Sequence, residues 1–183
     1  MGHFFFAGLM TVYLVHLGTS FSGGVVGLVL AALGPGALIG AVFSARIPRR
    51  FGFGPVMILA AVGADVVMLV VPVFAPGVVV LIAVNVVCGA LTQLIDVSAT
   101  SVRQAITPLD AQGRVVAALN FLGLGLAPVG SLLAGAVAEV LGVRAVLLVC
   151  ALGMLLSPLA MVLSPLARLG RVLPDQQDQW SSQ

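Results

Sequence analysis

Residues 23–50 read GGVVGLVLAALGPGALIGAVFSARIPRR, and the reading of this stretch decides the fold. Gly23 to Phe43 carries no charge and almost no polar side chain, yet Arg46, Arg49 and Arg50 follow within about two helical turns of its end. A helix rises about 1.5 Å per residue, so about 20 apolar residues cross the ~30 Å hydrocarbon core of a bilayer. An apolar run of that length closed by arginines is what a membrane span with its polar anchor requires.

The rest of the chain repeats the pattern. Hydrophobic residues make up 61% of the 183 and charged ones 8%, against about 25% charged in soluble domains. A water-soluble fold of this size lacks the polar cover for so much apolar surface, whereas lipid tails accept it. Spans are expected at about 4–17, 23–43, 54–74, 78–99, 115–138 and 145–163. The expected fold is therefore all-α, a polytopic bundle of about six transmembrane helices. Residues 1–174 form one membrane domain and 175–183 a polar tail. Thr100 to Arg114 reads as a polar linker, with Thr107 capping a short interfacial helix that has Pro108 at its first position and Asp110 in its first turn.

Orientation follows from arginine, because the chain has no lysine. If the spans alternate, Arg46, Arg49, Arg50, Arg103, Arg114, Arg168 and Arg171 share one side, and Arg144 alone takes the other. The positive-inside rule puts the seven, and the C-terminus, in the cytoplasm. A net charge of +2 gives no reason to expect nucleic acid as a partner; the expected surroundings are membrane lipid.

Glycine and proline punctuate the spans. Gly23 with Gly27, and Gly36 with Gly40, are small-xxx-small pairs that let backbones approach. Pro35 and Pro128 are expected to bend their helices, since proline removes an intrahelical bond. Cys88 and Cys150 lie in apolar runs and read as small buried hydrophobes.

Two loops carry a resemblance. The first is Gly40-Ala-Val-Phe-Ser-Ala-Arg46-Ile-Pro-Arg49-Arg50-Phe-Gly52. It resembles the cytoplasmic signature that major facilitator transporters carry after their second helix and echo after their eighth, with Ala45 in place of its Asp and Pro48 in place of its Gly. The second is Ser101-Val-Arg103-Gln104-Ala-Ile-Thr107-Pro108, then Gly113-Arg114-Val115-Val-Ala117. It is similar to the loop between helices ten and eleven in the enterobactin-exporter-like and macrolide-efflux-like branch. Pro128-Val-Gly130 and Ser164-Pro165-Leu166 fit the same branch. The resemblance makes the spans helices seven to twelve, the C-terminal half of the fold. It implies secondary transport of a drug-like or siderophore-like small molecule, coupled to protons, against a second six-helix half or a second copy. Met1 inside an apolar run favours a fragment, and the alternative to a carrier is a truncated, non-transporting membrane fragment or a small membrane scaffold.

Ionisable and amide groups in the spans are the site candidates, because they are costly in lipid. Asp65 lies mid-span. Asn85, Thr92, Gln93 and Asp96 fall within a broad sector of span four, which in the family lines the central cavity. Asp96 either clamps Arg103 or Arg114 or gates the cytoplasmic mouth, and the row as a whole either meets substrate or bonds to neighbouring helices. Asn120 stands where relatives often have Arg. Arg46, Arg49, Arg50, Arg103, Gln104, Gly113 and Arg114 make up the loop signature. No catalytic constellation, metal-ligand spacing or phosphate-binding glycine loop is present, so neither an enzyme nor a cofactor is expected.

Overall fold

The glycines decide how the helices meet. A computed structural model describes residues 2–74, 77–108 and 111–163, and every described element is a helix. They are α1 (Gly2–Ser20), α2 (Gly23–Ala31), α3 (Leu33–Ser44), α4 (Ile47–Phe51), α5 (Phe53–Phe74), α6 (Val78–Ile106), α7 (Gln112–Leu141), α8 (Val143–Met154) and α9 (Leu156–Leu163). Helical stretches long and apolar enough to cross a membrane cover Gly23–Ser44, Phe53–Phe74, Val78–Ala105, Gln112–Leu141 and Val143–Ala160, and Phe4–Ser20 is a shorter sixth. The chain is a polytopic helical membrane bundle. The C-terminal tail with Arg168 and Arg171, the Ala75-Pro76 turn and the Asp110 part of the expected cap lie outside the described residues.

Two pairs of parallel helices approach most closely. A methyl group added at Gly36 would fall on the Val86 carbonyl, and one at Gly40 on the Ala90 carbonyl; Gly89 meets Leu33 in the same way. The register advances in the same direction on both chains, so α3 and α6 run parallel. Gly130 meets the Phe4 carbonyl, and Gly8 meets Ala134 and Gly130, so α1 and α7 are parallel too. Both pairings require the spans to alternate across the bilayer. The carbonyl contacts sit where a glycine C–H points at oxygen, a weak attraction of about 0.5–1 kcal/mol. Gly23 and Gly27 meet nothing within 4 Å, so this pair faces away from the bundle.

The remaining contacts follow a two-fold pattern. α1 also packs on α8, α6 also packs on α5, and α5 touches α8. Exchanging the first three spans with the last three maps these pairings onto themselves. Three is odd, so the second trio is inverted relative to the first, the arrangement of an inverted repeat.

Proline and glycine set the breaks. The second span is interrupted at Ala32 and the last at Leu155, each three residues before a proline, Pro35 and Pro158. The proline ring crowds the carbonyl four residues back and offers no donor to it. α5 runs unbroken through Pro72 and α7 through Pro128. Gly52 (φ 97°, ψ 144°) and Gly142 (φ 84°, ψ 149°) each join two helices as single-residue links, a conformation essentially confined to glycine. α6 continues helically to Ile106, so the stretch expected as a linker from Thr100 is helix for two further turns.

The main apolar cluster joins Leu9, Val12 and Leu17 of α1, Val29 of α2, Met68 and Val71 of α5, Leu81 and Val84 of α6, and Val146, Leu147, Cys150 and Ala151 of α8. These positions crowd the end opposite the Arg-bearing loops. Toward the Arg-bearing end a smaller cluster holds Val56, Ala60 and Leu94.

Gly36→Ala and Gly40→Ala are each expected to cost about 1–3 kcal/mol by overpacking, whereas Gly27→Ala is neutral or slightly stabilising. Reversible SDS unfolding in mixed micelles, followed by circular dichroism, reads the difference. Equal effects at all three positions would refute the parallel α3–α6 contact.

Candidate functional site

The polar row of the fourth span is carried by α6. Eighteen residues make five turns, so Asn85 and Arg103 fall on one line along this helix, with Thr92 and Asp96 close to it. The row passes from the interior of the bundle to its surface. Asn85 is 1% exposed. Its Nδ2 donates to the Tyr13 hydroxyl at 2.7 Å and to the Leu81 carbonyl at 2.9 Å. Tyr13 is 0% exposed, so this bond ties α1 to α6 inside the apolar cluster. Thr92 and Asp96 are exposed and Gln93 is half-buried. Asn120 is exposed on α7, which packs chiefly on α1 and α8, so the described contacts do not bring it to the α6 row.

Asp65 is 5% exposed and sits within electrostatic reach of Cys88 on α6. Next to it the Cys88 thiol donates to the Ala64 carbonyl at 3.7 Å. The carboxyl is therefore enclosed by protein, between α5 and α6. A group enclosed in this way avoids the larger cost of facing hydrocarbon.

At the Arg-bearing end, Arg46 is exposed, and so are Arg49 and Arg50 on α4, where the Arg50 guanidinium lies 5.6 Å from the Phe51 ring centre. Pro48 is buried at the start of that short helix. Arg103 is half-buried and lines a cleft between the end of α6 and the start of α7, with Gln104, Thr107 and Gln112. The Gln112 side chain donates to the Gln104 carbonyl at 3.3 Å and the Thr107 carbonyl at 3.2 Å, closing off the end of α6. Gly113 and Arg114 are exposed on the first turn of α7. The cleft holds about 60 Å³. Drug-sized ligands occupy pockets of about 300–1,000 Å³, so this cleft is no substrate chamber.

Two contacts involve partners that the sequence does not name. Arg144, at the start of α8, donates from Nε to the Pro72 carbonyl at 2.6 Å and from Nη2 to the Val73 carbonyl at 2.7 Å. Those carbonyls end α5 and have no partner further along their own helix. The guanidinium satisfies them and complements the negative end of the helix dipole. Its signal in the sequence is that it alone breaks the arginine bias. The second contact is Tyr13 with Asn85. Among the described residues no three His, Cys, Asp or Glu gather as metal ligands.

Asn85→Leu is expected to cost about 1–2 kcal/mol, because it orphans the Tyr13 hydroxyl. Adding Tyr13→Phe should restore part of that loss. Thermal midpoints in detergent decide the matter, and simple additivity of the two losses would rule out the pairing.

Against known proteins, residues 9–183 match the major facilitator family of transmembrane secretion effectors. The multidrug efflux pump Tap of Mycolicibacterium fortuitum is 31% identical over 129 residues, covering 70% of this chain and 31% of that protein. The chain thus spans less than a third of that protein's length in the match. No solved structure gives a significant match. With the helical bundle, its parallel glycine contacts and the family match in agreement, the chain belongs to the transmembrane secretion effector family of the major facilitator superfamily, whose members are membrane transporters.

Proposed function

We propose that the chain is the C-terminal six-span half of a proton-driven export carrier. The observation that carries this reading is the α6 row. Thr92 and Asp96 stand exposed on an apolar bundle, where lipid is a poor neighbour for them and the face of a second half is a good one. An alternating-access carrier places its substrate site at such a junction between repeats. The partner is a first-half six-helix unit or a second copy. The cargo is a drug-like or siderophore-like molecule, in line with the multidrug efflux name of the relative.

The arginine bias supports a bacterial-type plasma membrane with Arg46, Arg49, Arg50, Arg103 and Arg114, and the C-terminus, on the cytoplasmic side. Proton coupling rests on the two aspartates within the apolar helices, Asp65 and Asp96. Asp65 is enclosed between α5 and α6, and Asp96 lies on the row itself. Asn120 on α7 belongs to the same path in this reading, reached when the second half closes over both helices. The break before Pro35 supplies a bend that lets the second span move.

The test is dye and antibiotic flux in sealed vesicles under a pH gradient, with this chain alone and together with a family first half. The pair is expected to drive export. In the pair, Asp96→Asn or Asp65→Asn is expected to abolish export driven by the gradient while leaving downhill exchange intact. Flux from the pair no greater than that of empty vesicles would overturn the proposal.

A further inference from the structure

The cleft between α6 and α7 is too small for a transported drug, and its lining is of a different kind from the α6 row. At roughly 10–15 Å³ for each water-sized group, its ~60 Å³ takes about four to six such groups. That is the size of a single tetrahedral oxyanion. The walls carry a guanidinium from Arg103 and hydroxyls from Thr100 and Thr107, over an apolar floor of Val115 and Val116, while the Gln112 amide is tied to the α6 carbonyls. A fork of guanidinium donors beside hydroxyl donors matches the oxygens of a phosphate group.

Its electrostatics point the same way. The opening of α7 presents the positive end of its helix dipole and the close of α6 the negative end, so the attraction for an anion comes from the Arg103 guanidinium. The acidic residue of α6, Asp96, stands seven residues before Arg103, about 10 Å along the axis. The apolar stretch of the fourth span ends at about residue 99, and Thr100, Arg103 and Gln104 follow on α6, so the cleft lies where the hydrocarbon gives way to headgroups. This depth holds whichever face of the membrane the Arg-bearing end meets.

We propose that this cleft binds a phosphate group, held by Arg103 with Thr100 and Thr107. A phospholipid headgroup and free phosphate share that chemistry, and the depth of the cleft favours the lipid. Occupancy would brace the turn between the fourth and fifth spans, because the bound group bridges the end of α6 and the start of α7. The assignment stands apart from the transport reading, since it concerns neither the α6 row nor a second half.

Native mass spectrometry of the purified chain in detergent tests it, with added phosphatidylglycerol, diacylglycerol of the same tails, or inorganic phosphate. Phosphatidylglycerol is expected to be retained and diacylglycerol lost. Arg103→Gln is expected to weaken retention about tenfold, the scale of one lost charge-assisted contact. Arg103→Lys, which keeps the charge and the topology, should fall between, and Arg50→Gln should match the unaltered chain. Circular dichroism of each variant separates lost binding from lost folding. If millimolar inorganic phosphate displaces the lipid, the site holds and the free ion is a sufficient ligand. If it does not, the site holds and the lipid is its source. Equal retention of diacylglycerol, or a folded Arg103→Gln variant that retains phosphatidylglycerol as well as the unaltered chain does, overturns the assignment.

Discussion

Backbone-to-backbone contact between parallel helices is the constraint from which the rest of this bundle follows. In lipid, apolar side chains gain little by leaving the tails for one another, so helices associate by close packing and short polar contacts. Gly36 and Gly40 let α3 lie against the carbonyls of α6, and Gly8 and Gly130 do the same for α1 and α7. Each pair joins spans that cross the membrane in the same direction. Once both pairs are set, α5 packs on the open flank of α6, and α8 on that of α1 and on α7. The two trios then meet through α5 and α8. The two-fold pattern is a consequence of where the glycines stand.

Polar contacts fix what the glycines bring near. A hydrogen bond within hydrocarbon has no water to compete with it, although in measured membrane bundles its net worth stays near 1 kcal/mol. Tyr13 with Asn85 connects α1 and α6, the two helices that exchange under the two-fold pattern. Arg144 joins the start of α8 to the end of α5, the other exchanged pair. Each contact lies on a seam between trios, where apolar packing alone leaves register and rotation loosely specified. The arginine contact is the stronger of the two kinds, being ionic and forked onto two carbonyls.

The fold class was legible because it rests on a sum. An uncharged run such as 23–43, repeated along a chain that is 8% charged, has one physical outcome whatever its detailed packing. Individual partners were not legible, because they depend on contacts between distant residues. Arg144 binds carbonyls 71 and 72 positions away, and nothing about Pro72 or Val73 as residue types announces a free carbonyl. Asn85 read equally well as a group meeting cargo or as one bonding a neighbouring helix, and its contact is with Tyr13, 72 residues earlier in the chain. Gly23 with Gly27 and Gly36 with Gly40 have the same spacing, yet only the second pair meets another helix. Spacing says that a helix can be approached; the direction of approach is set by the whole bundle. Prolines show the same limit. Pro35 and Pro158 stand three residues after helix breaks, while α5 and α7 run unbroken through Pro72 and Pro128.

The packing is unequal along the membrane normal, and this bears on how such a unit can move. The large apolar cluster, with Tyr13–Asn85 inside it and Arg144 near it, occupies the end away from the Arg-bearing loops. Toward the other end lie the smaller cluster, the exposed Thr92 and Asp96, and the cleft between α6 and α7. Packed interiors resist deformation, so strain applied to the bundle passes through the tight end and is taken up at the loose one. Within the proposed carrier, the tight end would turn as one body while α6 and α7 part or close at the Arg-bearing mouth. A ligand bridging α6 and α7 there would act on the segment that moves most. Partial opening at that mouth is then an energetic matter of a few polar contacts and one small cleft, while the glycine-set framework stays intact.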